Sequence, residues 1–161
     1  MNQDIKISNN NNKFKFRVSG ILIVDNKVLT VKINNNDFYC LPGGHVELME
    51  NTKDAIIREF KEESNIRVKI DRLLYVTENF FEGKLGKFHE LGFYYLLVPQ
   101  DKVILKDYQV IEKDKDGDMK LDFKWIAIEK LNNFKPEFLK NELRFLDKEC
   151  KHIIISNDKI I

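Results

Sequence analysis

The chain of 161 residues predicts an α/β fold: a mixed β-sheet with helices packed on it. Stretches that read as strands outnumber those with helical spacing, and the two helical stretches are separated by strands. The length suits one domain with a full core. Charged residues make up 33% and apolar residues 43% of the chain, as in an ordinary globular protein.

Residues 1–12 are polar and asparagine-rich and read as a loose arm, with residues 13–161 as a single domain. "FKFRVSGILIVDNKVLTVKI" (14–33) reads as two strands around a turn at Asp25-Asn26. "NNND" (34–37) is a loop, and "FYCLPGG" is a short strand ending in a turn. Helical spacing runs from Thr52 to Ser64, with Ala55, Ile56, Phe60 and Ile57 as inward candidates. "VKIDRLLYVTENFFEG" and "KFHELGFYYLLVPQ" are two long strands joined near Gly83–Gly86. "LDFKWIAI" is another strand. "PEFLKNELRFLDK" predicts a second helix, with proline first and Phe138, Leu139, Leu143 and Leu146 on one face. "HIIIS" reads as a last strand or a docking segment.

The charge balance, 27 basic against 26 acidic residues, gives a net +1 and no global pull toward extended nucleic acid or a membrane. No apolar run approaches the roughly 20 residues that cross a bilayer, and the N-terminus lacks the apolar segment of a signal peptide. Cys40 and Cys150 are far apart with no CxxC, so a reduced, cytoplasmic protein is expected. His45, His89 and His152 show no zinc-type spacing.

"REFKEESNI" (58–66) poses a physical problem. On a helix, Glu59, Glu62 and Glu63 fall on one side, and like charges at that spacing weaken the helix unless something positive lies among them. The helix is well punctuated: Asn51 can cap its start, Asp54 lies near the positive end of the dipole, and Asn65 suits a left-handed C-terminal cap. Upstream, "LPGGHVELME" offers two glycines that allow a sharp turn and a close carbonyl approach. A glycine turn, an acidic residue, a capped helix and a carboxylate face together describe a site for a hard cation. Mg²⁺, which prefers oxygen ligands, answers the charge problem.

The spacing is Gly44, five residues, Glu50, seven residues, Arg58, Glu59, apolar Phe60, one residue, Glu62, Glu63, one residue, Asn65, Ile66. It resembles the Nudix box, the sequence pattern of Nudix hydrolases. Asn65 stands where the family has glycine, and every other specified position matches. Asparagine enters the left-handed region at modest cost, so the departure changes little. The resemblance covers Gly44 to Ile66, and the surrounding order of elements is similar to the family's α/β/α sandwich.

The resemblance implies roles for individual residues. Glu59 and Glu63 match the main metal ligands, Glu62 a carboxylate that binds a second ion or acts through water, and the Gly43 carbonyl a backbone ligand. Arg58 matches an arginine that pairs with the first glutamate of the box, here Glu50, and a guanidinium fork suits a carboxylate. The implied reaction is Mg²⁺- or Mn²⁺-dependent hydrolysis of a nucleoside diphosphate joined to another group. The proton acceptor is left between Glu62, Glu63 and a loop acid. The partner is thus a small nucleoside diphosphate derivative, and a homodimer is compatible with the chain.

Plainer readings compete at several positions. Three glutamates alone describe a solvated helix face with Arg58 and Lys61 as partners, but the flanking turn and full spacing outweigh that reading. His45 reads as a polar loop residue, Trp125 as core and Cys40 as a packed strand cysteine. His89 and Glu90, beside Phe80 and Phe81, fit either an aromatic-lined substrate pocket or a cross-strand cluster. Arg17 and Lys32 are candidates to reach substrate phosphate, although a lone cation on a strand is usually surface. "EKDKDGDMKLDF" (112–123) imitates a calcium loop, yet its twelfth position is Phe123 where a glutamate is needed. Asp116-Gly117 reads instead as a hairpin turn. Glu112, Asp118 or Asp122 is left to supply a loop acid.

Overall fold

The computed structural model describes residues 3–113 and 117–161. Their strands are β1 (Lys6–Asn9), β2 (Asn12–Val24), β3 (Lys27–Ile33), β4 (Val68–Gly83), β5 (Gly86–Pro99), β6 (Tyr108–Glu112), β7 (Met119–Ala127), β8 (Lys151–Ser156) and β9 (Lys159–Ile160). The helices are α1 (Thr52–Ser64) and the single turn α2 (Leu139–Glu142), with a 3₁₀ turn at Ile128–Lys130. The strand order is β6-β7-β3-β2-β5-β4-β8-β9, and β1 pairs with β2.

Two pairings of β2 organise the sheet. At its far end β2 turns into β3 through Asp25 and Asn26, whose φ values of 49° and 58° suit a tight hairpin turn. Along most of its length β2 lies parallel to β5, from Asn12↔Lys87 to Leu22↔Leu97. The glycine-containing segment returns antiparallel along the same strand. The Val18 N–H donates to the Gly44 carbonyl at 2.9 Å and the Gly20 N–H to Pro42 at 2.9 Å. The middle of β2 is therefore flanked by β5 on one side and the glycine turn on the other.

Side-chain alternation along β2 and β5 divides the core in two. On one face Val18, Leu22, Tyr95 and Leu97 pack under Ala55, Ile56 and Phe60 of α1. On the other, Ile21, Tyr75 and Tyr94 pack against Phe134, Phe138, Leu139 and Leu143. This is the α/β/α arrangement with a mixed sheet. Trp125 belongs to the first cluster, as expected of a core residue.

Three local expectations need correction. Residues 6–9, read as part of a loose arm, form β1 and pair with residues 12–15 of β2. Residues 108–112 form β6, which went unread because its exposed and half-buried side chains carry a weak apolar signal. The second helix, expected over 136–148, is regular only over Leu139–Glu142. Its apolar set still points inward: Phe138, Leu139 and Leu143 are buried and Leu146 packs against them. Helical continuation loses to other bonds. The Asp147 carbonyl accepts from Arg72, and Lys151 bridges Glu142 and Asp147 as the chain bends into β8. The calcium-loop mimic lies between strands β6 and β7, which pair antiparallel at Glu112↔Met119, and not between helices. Its proposed turn includes Asp116, outside the described residues. Among the described residues no helix is long and apolar enough to cross a membrane.

Candidate active site

The helix that carries the glutamates is fixed at both ends as its sequence predicts. The Asn51 side chain accepts from the N–H groups of Lys53 and Asp54 at 3.1 and 3.0 Å. Asn65 closes the helix in the left-handed region, at φ 54° and ψ 21°. Between them, the buried stripe of Ala55, Ile56 and Phe60 sets the rotation of α1. That rotation turns Glu59 and Glu63 inward, each only 8% exposed, while the Glu62 side chain remains 55% exposed.

The glycine turn makes room for them. Gly43 has φ 146°, and a Cβ there would lie 2.1 Å from the Val18 carbonyl oxygen. A Cβ on Gly44 would lie 2.4 Å from the Glu59 carboxylate. No larger residue fits at either position without moving backbone or acid. Glu63 Oε2 accepts from the Gly43 N–H at 3.2 Å. The Gly43 carbonyl is not used by the strand ladder and accepts from Arg17 Nη2 at 3.1 Å.

Burial pushes the Glu63 carboxyl up to about 8, and repulsion from Glu59 and Glu112 adds to it. Burial likewise pushes Glu59 up to about 7, against the pull of Arg58. Two inward acids with few compensating donors leave a local demand for positive charge. Their oxygens and the Gly43 carbonyl are the donors a hard divalent cation takes. Glu62 stays more exposed than the pair and shares Arg58 with Glu59, and among the described residues no group of three or more Asp, Glu, His or Cys side chains is gathered for a metal ion. The fit to Mg²⁺ or Mn²⁺ thus rests on two carboxylates and a backbone oxygen.

Arg58 ties the assembly together. Its Nε and Nη2 donate to the two oxygens of Glu50 at 2.8 and 2.9 Å. Nη1 donates to Glu59 at 2.8 Å and to Glu62 at 3.2 Å, and Nη2 also reaches the His45 carbonyl at 3.1 Å. Arg58 thus lies among the carboxylates. Glu50 also accepts the Glu47 N–H at 3.0 Å, so the clamp fixes the loop between turn and helix. Of the candidate loop acids, Glu112 is close enough to raise the Glu63 pKa. Asp118 is exposed, and Asp122 pairs with Lys120 at 3.3 Å.

Beyond Gly43, on the sheet face away from α1, opens a cavity of about 420 Å³. Arg17, Glu90 and Phe81 line it, as do Tyr94 and Asn79. Three substrate candidates are therefore gathered there. His89 is not: it alternates to the other face, stacks on Phe80 at 4.4 Å and meets Phe14 edge-on. Lys32 lies over the Tyr39 ring at 5.6 Å and is not part of the cavity wall. Cys40 also lines the cavity, with its thiol pushed up to about 11 by burial, which makes it a poor nucleophile. His45, expected as a polar loop residue, is half-buried against β2. Burial and then the Arg17 charge push its pKa down to about 4. Tyr94 and Asn79 went unread as wall residues. Their only signal was period-2 alternation with Glu90 and Phe81, which needs the strand register to interpret.

The NUDIX domain profile matches residues 14–147, and the chain belongs to that family. An ADP-ribose pyrophosphatase of Methanocaldococcus jannaschii is 45% identical over 60 residues, which span 35% of this chain and 36% of that protein. A MutT-like protein of Streptomyces ambofaciens is 36% identical over 67 residues, 41% of this chain and 44% of that one. The match thus spans less than half the length of either relative. Among solved structures, a MutT protein from Bacillus halodurans superimposes with a TM-score of 0.59 at 15% identity, covering 91% of this chain and 94% of that one. An ADP-ribose pyrophosphatase from Streptococcus suis gives a TM-score of 0.53 at 14% identity, covering 88% and 98%. At those identities the likeness is one of fold.

Proposed function

We propose that the protein is a divalent-cation-dependent pyrophosphohydrolase that cleaves a nucleoside diphosphate linked to another moiety. The observation that carries this is the inward pair Glu59 and Glu63 against the glycine turn, where Glu63 accepts the Gly43 N–H and the Gly43 carbonyl accepts from Arg17, a residue of the cavity wall. Glu59, Glu63 and Gly43 would hold Mg²⁺ or Mn²⁺, with Glu62 nearby. When bound, such an ion neutralises phosphate oxygens and acidifies a water for attack on phosphorus. Arg58 and Glu50 keep the carboxylates and the glycine loop in fixed relation, so little reorganisation is left for the reaction itself. The attacking water gives its proton to a carboxylate among Glu62, Glu63 and Glu112. The cavity takes the rest of the substrate, where Arg17 supplies donors, Glu90 an acceptor and Phe81 an apolar wall.

The retained carboxylate set favours this reading over a Nudix-fold sensor that binds nucleotide without cleaving it. A single domain over residues 13–161 and a reducing, cytoplasmic setting belong to the same proposal. The free thiols Cys40 and Cys150 support the latter. The test is a panel of nucleoside diphosphate compounds, with ADP-ribose first because of the 60-residue relative. Each is incubated with Mg²⁺ or Mn²⁺ and assayed for released phosphates. Reaction in ¹⁸O water should place the label on a phosphate product. Activity that survives full chelation, or label on carbon, overturns the mechanism.

A further inference from the structure

Arg17, a residue of the cavity wall, also reaches the candidate cation site. It stands on β2 between the two halves of the site. One guanidinium nitrogen, Nη2, donates to the Gly43 carbonyl at 3.1 Å. The other, Nη1, lies 3.9 Å from Glu90 in the cavity, too long for a hydrogen bond. Nε is enclosed and has no hydrogen-bond partner among the described residues. A buried donor left unpaired is costly, so this side chain is not in the arrangement that satisfies it best. The positive charge also falls within reach of Glu63, whose charged form it favours.

We infer that Arg17 is a positioning residue that couples cation binding to ligand binding: it holds the Gly43 carbonyl when no cation is there, and turns its donors to a phosphate or other anionic group in the cavity when one is. The inference rests on the reading of Gly43, Glu59 and Glu63 as a cation site. Its logic is electrostatic. A divalent cation on the same carbonyl repels a guanidinium hydrogen-bonded to that oxygen. Glu90 and the cavity lie on the side away from Gly43 and offer the guanidinium an alternative. An anionic ligand there would complete the bonds that Nε now lacks. Each event then favours the other, and the coupling must be reciprocal: the ligand tightens the cation by the factor with which the cation tightens the ligand.

The test is calorimetric titration of Mg²⁺ and Mn²⁺ into the whole protein, with and without saturating AMP as the anionic probe. Parent, Arg17→Gln, Arg17→Lys and Glu63→Gln are compared, each first checked for a cooperative melt. Parent should bind the cation, and Glu63→Gln should weaken it. Arg17→Gln should bind the cation at least about fivefold more tightly than parent without AMP, and AMP should no longer change its affinity. A merely structural arginine would give the opposite sign, because its loss would loosen the Gly43 turn. Arg17→Lys keeps the charge but not the fork, and should lie between parent and Arg17→Gln. If parent and Glu63→Gln behave as stated but Arg17→Gln binds the cation no more tightly than parent, the coupling is overturned and the cation site stands. If Glu63→Gln leaves cation affinity unchanged, the cation site and the coupling fall together.

Discussion

Glu50 and Glu63 lie at opposite ends of the same loop-and-helix unit, and their surroundings differ in kind. Glu50 is saturated: both oxygens accept from Arg58 and one also from the Glu47 N–H. Those bonds hold its carboxyl below the usual glutamate range. Glu63 is more deeply buried and accepts only the Gly43 N–H among the hydrogen bonds described, so burial drives its carboxyl to about 8. The first acid is built to stay charged and hold structure. The second is kept short of partners, and undercompensated buried acids of this kind cluster at functional sites. On the function proposed above, the contrast separates a residue that holds the fold from one that would carry its chemistry.

The largest expected effect breaks the deprived side. Glu63→Gln should lower turnover by orders of magnitude while leaving the melting temperature equal to or above that of the parent, since it removes an undercompensated buried acid. Glu59→Gln should behave similarly but also strand one donor of Arg58. Steady-state kinetics beside thermal melts checks both. A Glu63→Gln protein with parental turnover would remove the residue from the chemistry.

The saturated side should answer in stability first. Arg58→Ala leaves Glu50 and Glu59 without their shared donor. A fully buried pair broken in this way costs about 3–5 kcal/mol, and with a quarter of the Arg58 side chain exposed the loss should be about 2–3 kcal/mol. Arg58→Lys should recover little, because an ammonium cannot match the two parallel bonds to Glu50. Chemical denaturation measures this, and an unchanged midpoint for Arg58→Ala would show that the clamp contributes nothing.

A smaller effect follows from the pKa of Glu50. Its folded value is depressed, so the unfolded chain binds the proton more readily. The stabilisation is fully present above the unfolded glutamate value of about 4.3 and is lost as pH falls through the lower folded value. Glu50→Gln should be less stable than parent at pH 7, and the gap should narrow as the pH is lowered below about 4. A gap that stays constant down to pH 2 would mean that the carboxylate charge is not what Arg58 holds.

These tests also bear on how far sequence reaches into structure. The helix over 52–64 was legible because its signals are local: a cap at Asn51, apolar spacing, and Asn65 at the end. The same apolar spacing over 136–148 produced one helical turn, because Arg72 from β4 and Lys151 at the start of β8 claim groups there. The carboxylates were legible in identity but not in orientation. That Glu62 points out while Glu59 and Glu63 point in depends on how α1 rolls onto β2 and β5. His89 and Glu90 are adjacent in sequence and on opposite faces of the sheet, so only one of them enters the cavity. Register with β2 and β4 decides which, and no local pattern carries that information.

The smallest effect concerns Asn65, the one position where the box departs from its usual residue. It lies outside both acid environments, so it should move stability and leave the chemistry alone. Its φ of 54° is left-handed, a region that costs an ordinary L-residue roughly 1–2 kcal/mol and asparagine less. Asn65→Gly removes the remaining steric cost but loosens the unfolded chain, so the net gain should be only on the order of 0.5 kcal/mol. Asn65→Ala keeps the Cβ and loses the tolerance of asparagine for that region, and should cost about 1 kcal/mol. Turnover should match the parent in both, because Asn65 is exposed and the helix it ends is anchored by Phe60 and Ile56. Denaturation midpoints ordered Gly above Asn above Ala would show that conformation alone selects the residue here. An alanine variant as stable as the parent would mean that the helix end shifts without cost, and that the glycine usual at this position answers to something other than backbone geometry.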